Sequence, residues 1–153
     1  MTPVVANASP LIALAKIDRF LLLKQLFDEI WIPDAVWEEV VVQGKGKPAA
    51  DLTRSAEQAT WLRRRSITET LTVEVLRATL GAGEAEAIVL AQEVSAQWLL
   101  LDDDLARAQA NRLGLHIKGS VGILLAGYQA GLLDDIKDDM NALRAGGFRL
   151  ADN

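Results

Sequence analysis

A chain of 153 residues, half of them hydrophobic and 24% charged, suits one compact domain with a closed core and excludes a disordered protein. The absence of cysteine removes disulfides, thiolate zinc sites and a cysteine nucleophile and agrees with a reducing cytosol, so any metal must be held by oxygen or by the single His116. Sixteen Lys and Arg against 21 Asp and Glu leave a net charge of −5, which excludes a basic module that coats nucleic acid by charge alone.

The N-terminal residues lack the basic segment of a signal peptide, and no apolar run reaches the roughly 20 residues that span a bilayer, so a soluble cytoplasmic protein without a membrane partner is expected. Val4-Val5-Ala6 reads as a short buried strand. Ser9-Pro10 then opens a helix over Leu11 to about Ile17, with Ser9 as N-cap and Pro10 in the first helical position. A second apolar stretch, Phe20 to Phe27, crowds Leu21, Leu22, Leu23, Leu26 and Phe27 so closely that one core face is not expected to hide them all. A self-association or partner surface is expected there.

Glu29 to Ile32 reads as a strand, and Pro33-Asp34 starts a helix carrying Val36, Trp37, Val40 and Val41. Gly44 to Pro48 is a loop and a candidate mobile segment. The next helix is expected over about Ala50 to Arg65, with Arg63-Arg64-Arg65 at its C-terminus where cations suit the macrodipole, and Thr72 to Leu80 fits either strand or helix. Gly81-Ala82-Gly83 breaks the chain before a helical run from Glu84 to Ala91. Trp98 to Leu101 is short and wholly apolar, the pattern of a central parallel strand, and a helix from Leu105 to Leu113 follows it. Leu115 to Ile117 makes a last strand, Ser120 caps a helix through Tyr128, and Asp134 to Leu143 forms another. Alternating strands and helices with short joins predict a single α/β domain with an open, mostly parallel sheet covered on both faces. Such sheets carry their functional groups at the carboxyl ends of strands, here Asn7-Ala8-Ser9, Asp102-Asp103-Asp104 and Gly119-Ser120.

Three successive carboxylates at Asp102 to Asp104 repel one another unless something positive stands near, which a divalent cation would supply. One helix cap accounts for one aspartate and leaves a surplus. Glu84 and Glu86 lie in a first helical turn that favours acids in any case. Two positions apart, they point about 200° from each other, so at most one reaches a given metal. Glu38 and Glu39, beside Val36, Trp37, Val40 and Val41, read on their own as a solvated pair. His116 and the three arginines read as packed or solvated residues, and no dinucleotide fingerprint, phosphate loop, nucleophile elbow or zincin motif is present.

Five segments in order resemble the PIN domain family, and more closely a branch found among toxin and antitoxin loci. They are Val5 to Lys16, Ile32 to Val40, Leu80 to Ile88, Leu99 to Asp103 with Ala106-Arg107 following, and Gly119 to Leu125. The resemblance covers nearly the whole chain. It implies a metal-dependent ribonuclease, the toxin of a toxin-antitoxin pair, with Mg²⁺ or Mn²⁺ as cofactor, RNA as substrate, and an antitoxin protein or a second copy of the chain as partner. Carried over residue by residue, its site falls on Asn7, Glu39, Glu86 and Asp103. Asp102 is a further metal ligand, with Ser9, Glu84 and Ser120 in support. Asn7 departs from the family's aspartate; an amide keeps an oxygen ligand and loses one negative charge, which weakens the hold on a hard cation. That departure leaves a second expectation, a degenerate PIN-like module that binds RNA or protein without cutting. A small-molecule or nucleotide-binding α/β module is a third, weakened by the lack of a phosphate loop.

Overall fold

The computed structural model describes residues 3–148. Within them a five-stranded sheet runs in the order β3-β2-β1-β4-β5 with every pairing parallel. The strands are β1 (Val4–Ala6), β2 (Ile30–Ile32), β3 (Leu62–Arg64), β4 (Trp98–Leu100) and β5 (Ile117–Lys118). The helices are α1 (Ala8–Lys16), α2 (Leu22–Phe27), α3 (Asp34–Trp37), α4 (Pro48–Gln58), α5 (Thr70–Leu76), α6 (Ala82–Glu93), α7 (Asp104–Arg112), α8 (Ser120–Gln129) and α9 (Ile136–Ala145). α3 passes directly into a π-helical turn, Glu38–Val42, a rare geometry that often marks functional positions.

Strand side chains alternate between two cores, as the period of two requires. Val4, Ala6, Ile30, Ile32 and Leu100 pack under α1, α2, α3, α4, α8 and α9. Val5, Leu99 and Leu101 pack under α5, α6 and α7. Both faces are thus covered, and burying each Leu or Ile contributes about 2 kcal/mol. Numbering climbs outward from β1 through β2 to β3 on one side and jumps to β4 on the other. The switch point lies between β1 and β4, where open α/β sheets form their functional crevice.

Several expectations need correction. The helix expected to end at Arg65 stops at Gln58, and Leu62-Arg63-Arg64 forms the edge strand β3. Its arginines are occupied: Arg63 pairs with Glu29 at 2.8 Å, Arg64 with Asp34 at 2.7 Å, and Arg65 lies 4.6 Å over the Trp31 ring. The segment from Thr72 belongs to a helix, α5. β4 is an interior strand, but β1 holds the middle of the sheet. Ser9 is the second residue of α1 and Asn7 its N-cap; Ser120 is the first residue of α8 and Gly119 its N-cap. Of the crowded apolar residues around α2, Leu22 and Leu23 are buried, Leu26 and Phe27 are half-buried against the core, and Leu21 is exposed. No helix among the described residues is long and apolar enough to cross a membrane.

Candidate functional site

Asn7 follows β1 at the switch point, its backbone N–H donating to the Leu100 carbonyl of β4 at 2.9 Å. Its side chain is 2% exposed and makes no capping bond to α1. The carbonyl oxygen Oδ1 is fully buried without a hydrogen-bond partner, an arrangement that costs free energy unless another group meets that oxygen.

The neighbours of that oxygen come from two other helices. Gly83, in the first turn of α6, leaves open the volume a side chain would fill: a Cβ there would stand 3.2 Å from Glu39 Oε1 and 3.4 Å from Asn7 Oδ1. Glu39 arrives from the π-helical turn after α3 and is exposed, with Oε1 turned toward buried Gly83. Glu84 follows Gly83, with Oε1 accepting the Gly81 amide at 3.0 Å. Burial raises the Glu84 carboxyl above the usual glutamate range, the Gly81 amide opposes this, and the charge and hydrogen-bond contact of Asp103 and the charge of Glu39 push it further up. Asp103 reaches the same place from the end of β4, where one oxygen caps α7 by accepting the Ala106 amide at 2.9 Å.

The structure therefore brings together Asn7, Glu39, Glu84 and Asp103. Among the described residues no three acidic or histidine side chains stand close enough to enclose an ion as placed. The donor chemistry fits a hard divalent ion: one buried amide oxygen with no partner and three carboxylates, all oxygen ligands.

Four residues expected at the site lie otherwise. Glu86 turns away: its Oε1 accepts the Ala35 amide at 3.1 Å and so caps α3. The helical phase that separates it from Glu84 is the reason, and Glu84 takes the place expected for it. Both oxygens of Asp102 are engaged by Ser120, from its backbone N–H at 2.7 Å and its hydroxyl at 2.6 Å, a clamp joining the end of β4 to the start of α8. Ser120 is fully buried in that clamp. Ser9 is half-buried on the opposite flank of α1, lining a small cleft of about 240 Å³ with Leu143 and Phe148.

A family model described as a PIN domain matches residues 3–153. No curated protein matches the chain. Among solved structures, a PilT N-terminus domain protein from the hyperthermophilic archaeon Sulfolobus solfataricus P2 is similar at 18% identity, with a TM-score of 0.59 over 87% of this chain and 95% of that one. A domain of a functionally unknown protein from Methanocaldococcus jannaschii DSM 2661 is similar at 20% identity, with a TM-score of 0.52 over 78% of this chain and 91% of the other. At such identities the two structures speak for the fold, and they agree with the parallel sheet and its two helical layers; with the family model spanning nearly every residue, the chain belongs to the PIN domain family, whose members are in general nucleases.

Proposed function

We propose that this protein is an Mg²⁺- or Mn²⁺-dependent endoribonuclease that hydrolyses phosphodiester bonds of RNA, acting as the toxin of a toxin-antitoxin pair. The observation that carries the reading is the buried, unpartnered Oδ1 of Asn7 beside Glu39, with Glu84 of α6 and Asp103 at the end of β4 crowded against each other. Glu39, Glu84 and Asp103 would hold the ion and Asn7 would supply a neutral oxygen. Held there, a divalent ion would supply Lewis-acid activation of a phosphate oxygen and of a water nucleophile. The chain's own part is to concentrate negative charge where α6 and the β4 end meet, which with burial raises the Glu84 carboxyl above the usual glutamate range. The antitoxin, or a second copy of the chain, is the partner this reading implies.

The test is cleavage of labelled single-stranded RNA by purified protein during titration with Mn²⁺ and Mg²⁺. Cleavage that rises with metal and vanishes in Asp103→Asn is expected; intact RNA at saturating metal overturns the nuclease reading. The asparagine at position 7 favours one alternative, a PIN-like module that binds RNA or a partner protein without cutting, and retained RNA binding with no cleavage would establish it.

A further inference from the structure

The glycine-rich loop from Gly44 to Pro48 takes no part in the carboxylate cluster, yet its first residue is buried against the turn that carries Glu39. The chain leaves its α-helical course at Glu38. The Gln43 amide donates to the Glu38 carbonyl at 2.8 Å, five residues back where an α-helix would close after four. Val40 and Val41 anchor this wider turn in the core, and Glu39 stays exposed with Oε1 toward Gly83. Gly44 packs on the carbonyls of the turn. A Cβ there would overlap the Val40 carbonyl oxygen outright and stand 3.2 Å from the Val40 carbonyl carbon and 3.4 Å from the Glu39 carbonyl oxygen. All three are backbone atoms, so no side-chain rotation relieves the overlap. Gly46, in the same loop, is the opposite case: its φ is +89°, which other residues adopt at a cost, but a Cβ on it would meet nothing within 4 Å.

We infer that Gly44 is a positioning residue of the cluster: with the wider turn that it closes, it sets where Glu39 brings its carboxylate over Gly83 and Asn7. The consequence for metal rests on the reading of Glu39 as an ion ligand, while the positioning itself is measured without metal. The route is short. The carbonyls that a side chain at position 44 would displace belong to Glu39 itself and to Val40, so the shift reaches the Glu39 backbone directly. Val40 and Val41, each 1% exposed, hold the inner side of the turn, which leaves its outer side, with Glu39, to give way. A ligand displaced by more than about 0.5 Å loses its place at an ion.

The experiment compares Gly44→Ala with Gly46→Ala by calorimetric titration with Mn²⁺ and by nitrogen-15 NMR in EDTA. Gly46→Ala should lower the unfolding temperature by roughly 2–8 °C, the cost of one left-handed residue, and bind Mn²⁺ as the wild type does. Gly44→Ala should bind Mn²⁺ about tenfold or more weakly, as when the support of a ligand is lost. In EDTA it should also move the Gly83 amide and Asn7 side-chain amide resonances, which Gly46→Ala leaves in place. In a Glu39→Gln background Gly44→Ala should weaken Mn²⁺ no further, since both changes act at one ligand. Circular dichroism checks folding. Should Gly44→Ala not fold, deletion of Val42, an exposed residue of the same turn, restores α-helical spacing and is expected to give the same two losses. Wild-type Mn²⁺ affinity with unmoved resonances in the folded variant overturns the positioning and leaves the ion reading standing. An equal loss of affinity in Gly46→Ala overturns it as well, since any weakening of the loop would then suffice. Resonances that move with Gly44→Ala in a protein that binds no Mn²⁺ at any concentration would do the reverse, keeping the placement of Glu39 and sinking the ion.

Discussion

Asn7 Oδ1 and Glu39 Oε1 converge over Gly83, one oxygen buried and unpartnered, the other on an exposed residue. An aspartate at position 7 would place a buried charge beside Glu39. Without metal, Asn7→Asp should therefore lose on the order of 2 kcal/mol of stability. With Mn²⁺ the added charge becomes a ligand, and affinity should rise about tenfold or more. Thermal unfolding in EDTA and in Mn²⁺, with calorimetric titration, reads both effects. A variant that unfolds at the wild-type temperature in both and binds metal no better would show that position 7 does not face the ion.

Gly83 gives a complementary prediction because it separates the fold from the site. Alanine in place of a helical glycine usually stabilises by about 0.5–1 kcal/mol. Here the added methyl stands within 3.4 Å of both site oxygens, so Glu39 must shift. Gly83→Ala should keep or raise the unfolding temperature while weakening Mn²⁺ binding by about threefold to tenfold. Unchanged affinity in a folded Gly83→Ala protein would place the ion elsewhere.

The Glu84 carboxyl gives a pH dependence whose sign is fixed. Its pKa in the fold lies above that of the unfolded chain, so the folded state binds the proton more tightly and is favoured at low pH. That stability is fully present below the unfolded value and is lost as pH rises through the folded one. Glu84→Gln removes the dependence. In EDTA it should match wild type at pH 3 to 4, on the scale of ordinary carboxylates, and exceed it near pH 7. Adding Mn²⁺ at pH 7 should favour wild type instead, since the ion compensates the charge that Asp103 and Glu39 oppose. Equal unfolding temperatures for the two proteins across the whole range would contradict the crowding of Glu84.

The fold was legible wherever one strong pattern ruled a segment. Val4-Val5-Ala6 and Trp98-Leu99-Leu100 are apolar on both sides because both faces of the sheet are covered, and each emerged as a parallel strand. β3 was hidden for the opposite reason. As an edge strand it buries Leu62 while Arg63 and Arg64 stay exposed, and three residues of mixed polarity carry no period that separates strand from helix end. The break before it falls at Thr60, which has a positive φ of 67°, a conformation that threonine's side chain does not announce. At the site, Asn7, Glu39 and Asp103 were each readable from strand ends and family-like segments. The choice between Glu84 and Glu86 was not, because it depends on where α3 lies against α6, a tertiary relationship. Ser120 and Asp102 were legible as neighbours, but their mutual clamp appears only when β4 and α8 are in place.

Glu86 is the residue on which the family resemblance and the geometry part, and its variants decide between them. Its Oε1 accepts the Ala35 amide, one of the N–H groups that the first turn of α3 cannot satisfy internally. The helix that follows carries Glu39, so the bond also fixes the start of the segment that delivers a site carboxylate. Glu86→Ala should cost about 1 kcal/mol, the usual loss for a helix cap, and Glu86→Gln should cost less because its amide oxygen still accepts the bond. Neither should remove metal binding, since the charge on Glu86 faces α3 and not Asp103. Glu84→Gln should behave inversely, folding normally at pH 7 while weakening Mn²⁺ by about tenfold. Calorimetric titration of Glu84→Gln and Glu86→Gln with Mn²⁺, each checked for folding, gives the comparison. If Glu86→Gln loses the metal and Glu84→Gln keeps it, the ion sits on the Glu86 side of α6, and the cluster of Glu84 with Asp103 is a surface pair of acids with no part in binding.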